Sequence, residues 1–348
     1  MQQYLKIVGN GQRTARDLTR EEAEAACTLI MDGSANLPQV AAFMAALRIK
    51  EESAVELTAF TSIARRYSQQ LLFSHTNGID ICVPYDGRSK TPILLIASAI
   101  VAAACGAYVG LHGRIGQTTP PKFGLGVGDV LAALGIPVDL SLEAAGEMLN
   151  NCRLAYVDSA QFAPRLEQFN QVRVDYGMRS FLNTVEKLLN PFNLANAIVG
   201  IFHYPVMQRV VRAVEQLGYT RGLGVQGSEG SIEALTSRRT PILEFNQADN
   251  SLQEWSIDPH DFSWWASASD ETPLTAEDQA ALTRNILNPS FNIDPYYRQS
   301  VTLTAGLMLY SAGKAATLVE GVNQAQAALQ NGDAQEQLMG LKKEAHYA

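Results

Sequence analysis

The chain has 348 residues, 47% of them apolar, with a formal charge of −8 and a pI near 5.2. That length and apolar content allow one large core or two moderate ones. The acidic balance excludes a surface that is cationic throughout, so any nucleic-acid site has to be a local basic patch.

The opening "MQQYLKIVGNGQR" lacks the apolar run of a signal peptide. Next, "LTREEAEAACTLIMDG" places Thr19 and Glu22 at capping-box spacing, lines up Ala23, Ala26, Cys27 and Ile30, and stops near Gly33. In "NLPQVAAFMAALRIK", Pro38 suits a first helical turn and the apolar stripe runs through Ala41, Met44 and Leu47. "SAVELTAFTSIARRYS" repeats the cap as Ser53 and Glu56 and aligns Leu57, Phe60, Ala64 and Tyr67. A compact helical bundle is expected over the first 70 or so residues, with Arg13, Arg16, Arg65 and Arg66 as solvated or capping charges.

From Ile79 the texture changes. Short β-rich runs ("IDICVPY", "AYVGLHG", "RLAYVD", "AIVGIF", "RGLGVQG", "TPILEF") alternate with helical stretches at 128–134, 142–150 and 206–217. Such alternation predicts an α/β domain with a mostly parallel sheet. Residues 93–110 form the only run approaching the about 18 apolar residues of a membrane span. Its alanines, with Gly106 and Gly110, mark a buried core helix instead, and no membrane association is expected. The segment "DFSWWASASDETPLTAEDQ" reads as an exposed loop before a helix capped by Thr275 and Asp278. The closing "AQEQLMGLKKEAHYA" reads as an amphipathic helix with a frayed tail. Cys27, Cys82, Cys105 and Cys152 are dispersed, without C-x-x-C or neighbouring histidines. They read as reduced thiols of a cytoplasmic protein.

Taken together, several motifs resemble the anthranilate phosphoribosyltransferase family, the TrpD fold of glycosyltransferase family 3 shared with pyrimidine nucleoside phosphorylases. They are "ASAIVAAACGAYVGLHG", "GDVLAALGI", "RVDYGMRSFLNTVEKLLNP" and "LMLYSAGKAATLVEGVNQAQAAL". The third aligns Arg173, Gly177, Arg179, Asn183, Asn190 and Pro191 with that family's pattern. The resemblance spans nearly the whole chain. It implies a discontinuous helical domain, 1–72 plus about 162–188, through which such proteins pair as homodimers. The larger α/β domain would take 78–160 plus about 190–345.

That family holds phosphoribosyl diphosphate and magnesium with glycines, hydroxyls and carboxylates. Here its G-T-G-G-D is replaced by "VPYDGRSK", leaving Asp86 and Gly87 of suitable kind, while Pro84 has no N–H and Tyr85 is bulky. Its N-x-S-T positions fall on Ile93, Leu95 and Ile96, which are expected to be core. Its lysine before His-Gly aligns with Leu111, and the following asparagine with Arg114. At its Asp-Glu pair stand Ile232 and Glu233, so Glu233 is the one metal carboxylate left, with Glu229 as a stand-in. The frame Gly113, Asp129, Arg173 and Asn183 is intact. No catalytic residue can be assigned.

These losses make the chain most similar to the TrpD-like branch that includes YbiB, on the residues "VGNGQRTARDLTREEA", "ALRIKEES", "PYDGRSK" and "VEKLLNPF". That resemblance implies binding of nucleic acid or another polyanion along a basic groove, without a cofactor. The candidate set is Asp86, Gly87, Arg88, Lys90, His112, Gly113, Arg114, Lys122 and Arg173. The alternative is a phosphoribosyltransferase acting with phosphoribosyl diphosphate and magnesium on anthranilate or another acceptor.

Overall fold

The computed structural model describes every residue except 12, 74, 76, 117–118, 268–274 and 345–348. Parts of the run "IGQTTPP" at 115–121, of the expected exposed loop and of the C-terminal tail therefore lie outside the described residues.

Four helices come first: α1 (Gln2–Val8), α2 (Arg20–Met31), α3 (Leu37–Lys50) and α4 (Ala54–Arg66). Thr19 with Glu22 and Ser53 with Glu56 form the expected reciprocal caps, and Asn36 with Gln39 adds a third. Each cap satisfies amide groups that a helix start leaves open. On α3 the buried stripe is Val40, Phe43, Met44 and Leu47, with Ala41 only half-buried. The helix is turned so that its larger side chains reach the core, which the Ala41 reading had missed. Glu56 is fully buried: its carboxylate accepts from Leu18 N at 2.9 Å, Ser53 N at 2.8 Å and Lys50 Nζ at 2.7 Å.

The sheet has seven strands: β1 (Gly78–Cys82), β2 (Tyr108–Gly113), β3 (Leu154–Asp158), β4 (Asn196–Gly200), β5 (Arg221–Val225), β6 (Thr240–Asn246) and β7 (Ser251–Ile257). Their order is β3-β2-β1-β4-β5-β6-β7. The first five run parallel, while β6 and β7 add on antiparallel. The mostly parallel sheet is thus present, and β7 is the strand that the sequence reading did not contain. Every residue of β1 and β4 is buried, as expected where helices cover both faces.

Residues 93–110 resolve into helix α5 (Leu95–Ala104), buried along nearly its whole length, and the start of β2. Among the described residues no helix is long and apolar enough to cross a membrane. After β3 the chain returns to the helical bundle. Asn170–Tyr176 packs on α3, and Leu182–Val185 packs on α4. The rings of Phe43, Phe60 and Phe181 meet there at 4.8 to 6.0 Å.

Strand order reverses between β1 and β4: from β1 the chain builds outward through β2 and β3, and from β4 the other way through β5. In open α/β sheets the crevice beyond the carboxyl ends of the strands at such a point is where ligands bind. The loops that follow β1 and β4 leave the sheet there.

Candidate functional site

The loop after β1 is "VPYDGRSK". Gly87 has φ of 69°, and a Cβ on it would lie 2.5 Å from the Gly124 carbonyl oxygen, so only glycine fits. That close approach lets the loop zip onto residues 124–125. Gly124 N donates to Asp86 O at 3.0 Å, Arg88 N to Leu125 O at 2.9 Å, and Leu125 N to Arg88 O at 2.8 Å.

Behind the zip, Arg88 is buried and forms an ion pair with Glu233. Its guanidinium also donates to Pro92 O at 2.6 Å and to Thr91 Oγ1 at 3.1 Å. Burial pushes its pKa down to about 10. Glu233, with no exposed surface, accepts from Leu95 N at 2.7 Å as well. Ile93, Leu95, Ile96 and Ile232 lie in the core at 3% exposure or less, as expected for the first three. The space left among Val83, Gly87, Arg88, Ile93, Leu125 and Glu229 is about 20 Å³, roughly enough for one water molecule.

Glu229 ties the cleft shut from the other side. Its Oε1 accepts from Lys90 N at 3.0 Å, Thr91 N at 2.8 Å and Thr91 Oγ1 at 2.9 Å. Lys122 Nζ reaches its Oε2 at 3.3 Å and its carbonyl oxygen at 3.1 Å. Burial opposes ionisation of this carboxyl, but the Thr91 hydrogen bonds, the Lys122 charge and the Lys90 amide hold it down at about 2. Asp86 is buried and paired with Arg179. Burial raises its pKa, against the pull of that guanidinium.

Deeper in, Tyr85 and His112 form a buried chain with the floor of the sheet. The Tyr85 hydroxyl hydrogen-bonds His112 Nδ1, and His112 Nε2 lies 3.1 Å from Asp80 Oδ1. Tyr219 OH donates to Asp80 Oδ2 at 2.6 Å and receives from Arg65 Nη2 at 2.9 Å. His112 is therefore packed among protein groups, as is Gly113, whose α-carbon faces Tyr156.

A second cavity, about 320 Å³, opens between the 114–124 segment and helix Asn170–Tyr176. Arg114, Thr119 and Asn170 give it polar walls, and Pro120, Phe123 and Val174 apolar ones. Arg114 donates to Asn170 Oδ1 and to Glu167 Oε2, both at 2.5 Å. Asp129 caps the neighbouring turn, accepting from Gly116 N at 2.8 Å and Gly126 N at 2.9 Å. Asn183 Nδ2 donates to Pro120 O at 2.9 Å, fixing one wall.

The cations expected to line one groove do not form it. Arg88 is spent on Glu233, Arg114 on Glu167 and Arg173 on Glu186, the last through two bonds of 2.6 and 3.0 Å with both partners buried. Only Lys90 of the five is an exposed residue, and Lys122 is half-buried against Glu229. Glu233, the expected metal carboxylate, faces a guanidinium instead. Arg179 was aligned but given no role, yet it holds Asp86. Missed altogether were Phe202 and Tyr204 on the loop after β4, 47% and 42% exposed. The run "IFHYP" at the end of a buried strand was the available signal. Lys122 Nζ lies 5.6 Å above the Phe202 ring.

Fold and site together define a two-part protein, a helical bundle and an α/β sheet whose switch-point crevice lies between them. The chain belongs to the glycosyl transferase family: residues 2–68 match its helical bundle domain and residues 87–335 its a/b domain. It is 30% identical to an anthranilate phosphoribosyltransferase of Polaromonas sp. over 95% of this chain and 94% of that protein. Identity is also 30% to one of Burkholderia thailandensis, over 95% of each. Among solved structures, the anthranilate phosphoribosyltransferase (TrpD) of Thermus thermophilus superposes with a TM-score of 0.85 at 25% identity, covering 99% of this chain and 100% of that one. The Saccharomyces cerevisiae enzyme in complex with PRPP and Mg shares the fold, with a TM-score of 0.81 at 16% identity over 100% and 98% of the two chains.

Proposed function

We propose that the protein is a glycosyl transferase of the phosphoribosyltransferase type whose acceptor is a small planar acid, with loop 84–90 governing entry of the donor. The names of the relatives support the reaction class. The observation that carries the acceptor is the 320 Å³ cavity, with its apolar Pro120, Phe123 and Val174 opposite Arg114, Thr119 and Asn170. Apolar walls with a few placed polar groups suit an aromatic carboxylate such as anthranilate. The donor side sets a condition: a sugar diphosphate cannot share about 20 Å³ with the Arg88–Glu233 pair. Transfer therefore requires the loop to unzip from Gly124 and Leu125.

Magnesium does not fit the residues present. Glu233 is neutralised by Arg88, Ile232 has no ligand atom, and no cluster of three or more His, Cys, Asp or Glu able to hold a metal occurs among the described residues. The test is to mix the protein with anthranilate and phosphoribosyl diphosphate, with and without magnesium, and to follow the product by chromatography. Product above the boiled control supports the reading. No product, with no acceptor binding by calorimetry, overturns it.

One observation favours a second reading, binding of a single-stranded polyanion, which the likeness to the YbiB branch also suggests. Exposed Phe202 lies beneath Lys122, and Phe123, Tyr204 and Lys90 are further exposed aromatic and cationic side chains on the surrounding loops. Aromatic faces beside cations are what stack and neutralise unpaired nucleotides. In this reading those side chains replace Arg88, Arg114 and Arg173 as the binding set. Self-association through the helical bundle belongs to the same proposal, since Leu37, Ile49 and Val55 are exposed there. Fluorescence anisotropy with a labelled single-stranded oligonucleotide tests the interface. Affinity that falls with salt and disappears in the Phe202→Ala/Tyr204→Ala variant is expected; salt-independent or unaltered binding refutes it.

A further inference from the structure

We propose that Arg88 is a built-in cation: its guanidinium takes the place of a divalent metal at Glu233, so that the cleft is metal-independent. A small divalent ion such as magnesium needs about six oxygen ligands in near-octahedral array and gives up its water reluctantly. The switch-point crevice offers three carboxylates, and each is already matched. Glu233 faces Arg88, Glu229 faces Lys122 and the loop amides, and Asp86 faces Arg179. Arg88 lines a space of about 20 Å³, which cannot admit a hydrated ion.

Even with its pKa lowered to about 10 by burial, the Arg88 guanidinium stays charged at neutral pH, and it forms a rigid planar fork suited to a carboxylate. It differs from a metal in one respect that an experiment can read: it is covalently part of the chain and cannot be chelated. It also arrives on the same loop that closes the donor side, so neutralising Glu233 and closing the cleft are one event. This inference stands whether or not transfer occurs. The transfer assay reads product and acceptor binding, while the present claim is read by metal binding and by melting.

Manganese(II), a paramagnetic substitute for magnesium, is the probe. Electron paramagnetic resonance of free Mn²⁺ titrated with the wild-type chain is expected to show no loss of signal that Glu233→Gln reverses. Arg88→Met removes the charge while keeping an apolar stem. The Glu233 carboxylate is then buried without a counter-charge, so the variant's melting midpoint is expected to rise as pH falls toward protonation of that carboxyl, a rise absent from the Arg88→Met/Glu233→Gln double variant. A wild-type site that Glu233→Gln abolishes overturns the inference, and so does a folded Arg88→Met variant whose midpoint shows no such rise. Should Arg88→Met not fold, melting of the wild-type chain decides alone. An unchanged midpoint with EDTA or with excess Mn²⁺ is the expected result, and a metal-dependent rise refutes it.

Discussion

Between Arg88 and Glu233 two charges lie out of water, their side chains 8% and 0% exposed, and removing either strands the other. Breaking a buried pair in this way costs about 3–5 kcal/mol, whereas replacing both partners with apolar groups of similar size is often neutral. Glu233→Ala should therefore lower stability by roughly that amount in urea denaturation, and Arg88→Met/Glu233→Leu should recover most of it. Glu229 supplies a pH signature. Its folded value of about 2 lies below the ordinary 4.5, so the carboxylate's contribution is complete above pH 4.5 and is lost as pH falls toward 2. Glu229→Gln lacks that contribution, so the gap between its melting temperature and the wild type's should close over this range. At this scale the sequence revealed losses better than gains. Aliphatic side chains at 93, 95 and 96 announce themselves by identity, as does the missing acid at 232. The pairing of Arg88 with Glu233 joins distant parts of the chain, and no local pattern records it.

Among elements, the cleft loop depends on one close approach. Gly87→Ala would drive a Cβ to 2.5 Å from the Gly124 carbonyl, at a φ that side chains resist. Amide hydrogen exchange at Arg88 and Leu125, protected in the wild type by their mutual hydrogen bonds, should become markedly faster in that variant. The helical caps are plainer. Ser53 accepts from Glu56 N, and Ser53→Ala should cost about 1 kcal/mol of stability, read as a lowered urea midpoint. Such caps were legible because they are local, with two residues three apart. So were six of the seven strands, being short apolar runs bounded by turns. β7 escaped because an edge strand with exposed Gln253 and Glu254 has no apolar run to find. On α3 the sequence reading placed Met44 and Leu47 correctly and Ala41 wrongly, because small alanines on several sides leave the rotation of the helix to tertiary packing.

Across the whole molecule, the chain Tyr85–His112–Asp80–Tyr219–Arg65 runs from the cleft loop through the sheet to α4 of the bundle. Asp80 accepts from Tyr219 and lies within 3.1 Å of His112 and 3.3 Å of Cys82 Sγ, all buried. Asp80→Asn would set an amide N–H against a donor and should destabilise both lobes together by about 1–3 kcal/mol. A single shifted transition, followed by far-UV circular dichroism and by tryptophan emission alike, is the expected observation. Light scattering on the intact chain should report a dimer, and Ile49→Glu, placed on the exposed bundle face, a monomer. The two-lobed architecture was open to sequence reading because each lobe has its own periodicity. The state of the crevice between them was not, because it depends on which side chains meet across it.

Ile93, Leu95 and Ile96 constrain what this cleft can become by substitution. Each contributes about 1.5–3 kcal/mol by burial, in a molecule whose total margin is of the order of 5–15 kcal/mol. Polar residues placed there would subtract from that margin at every substitution. A polar lining at the start of α5 could therefore come only with a loss of the fold's own stability.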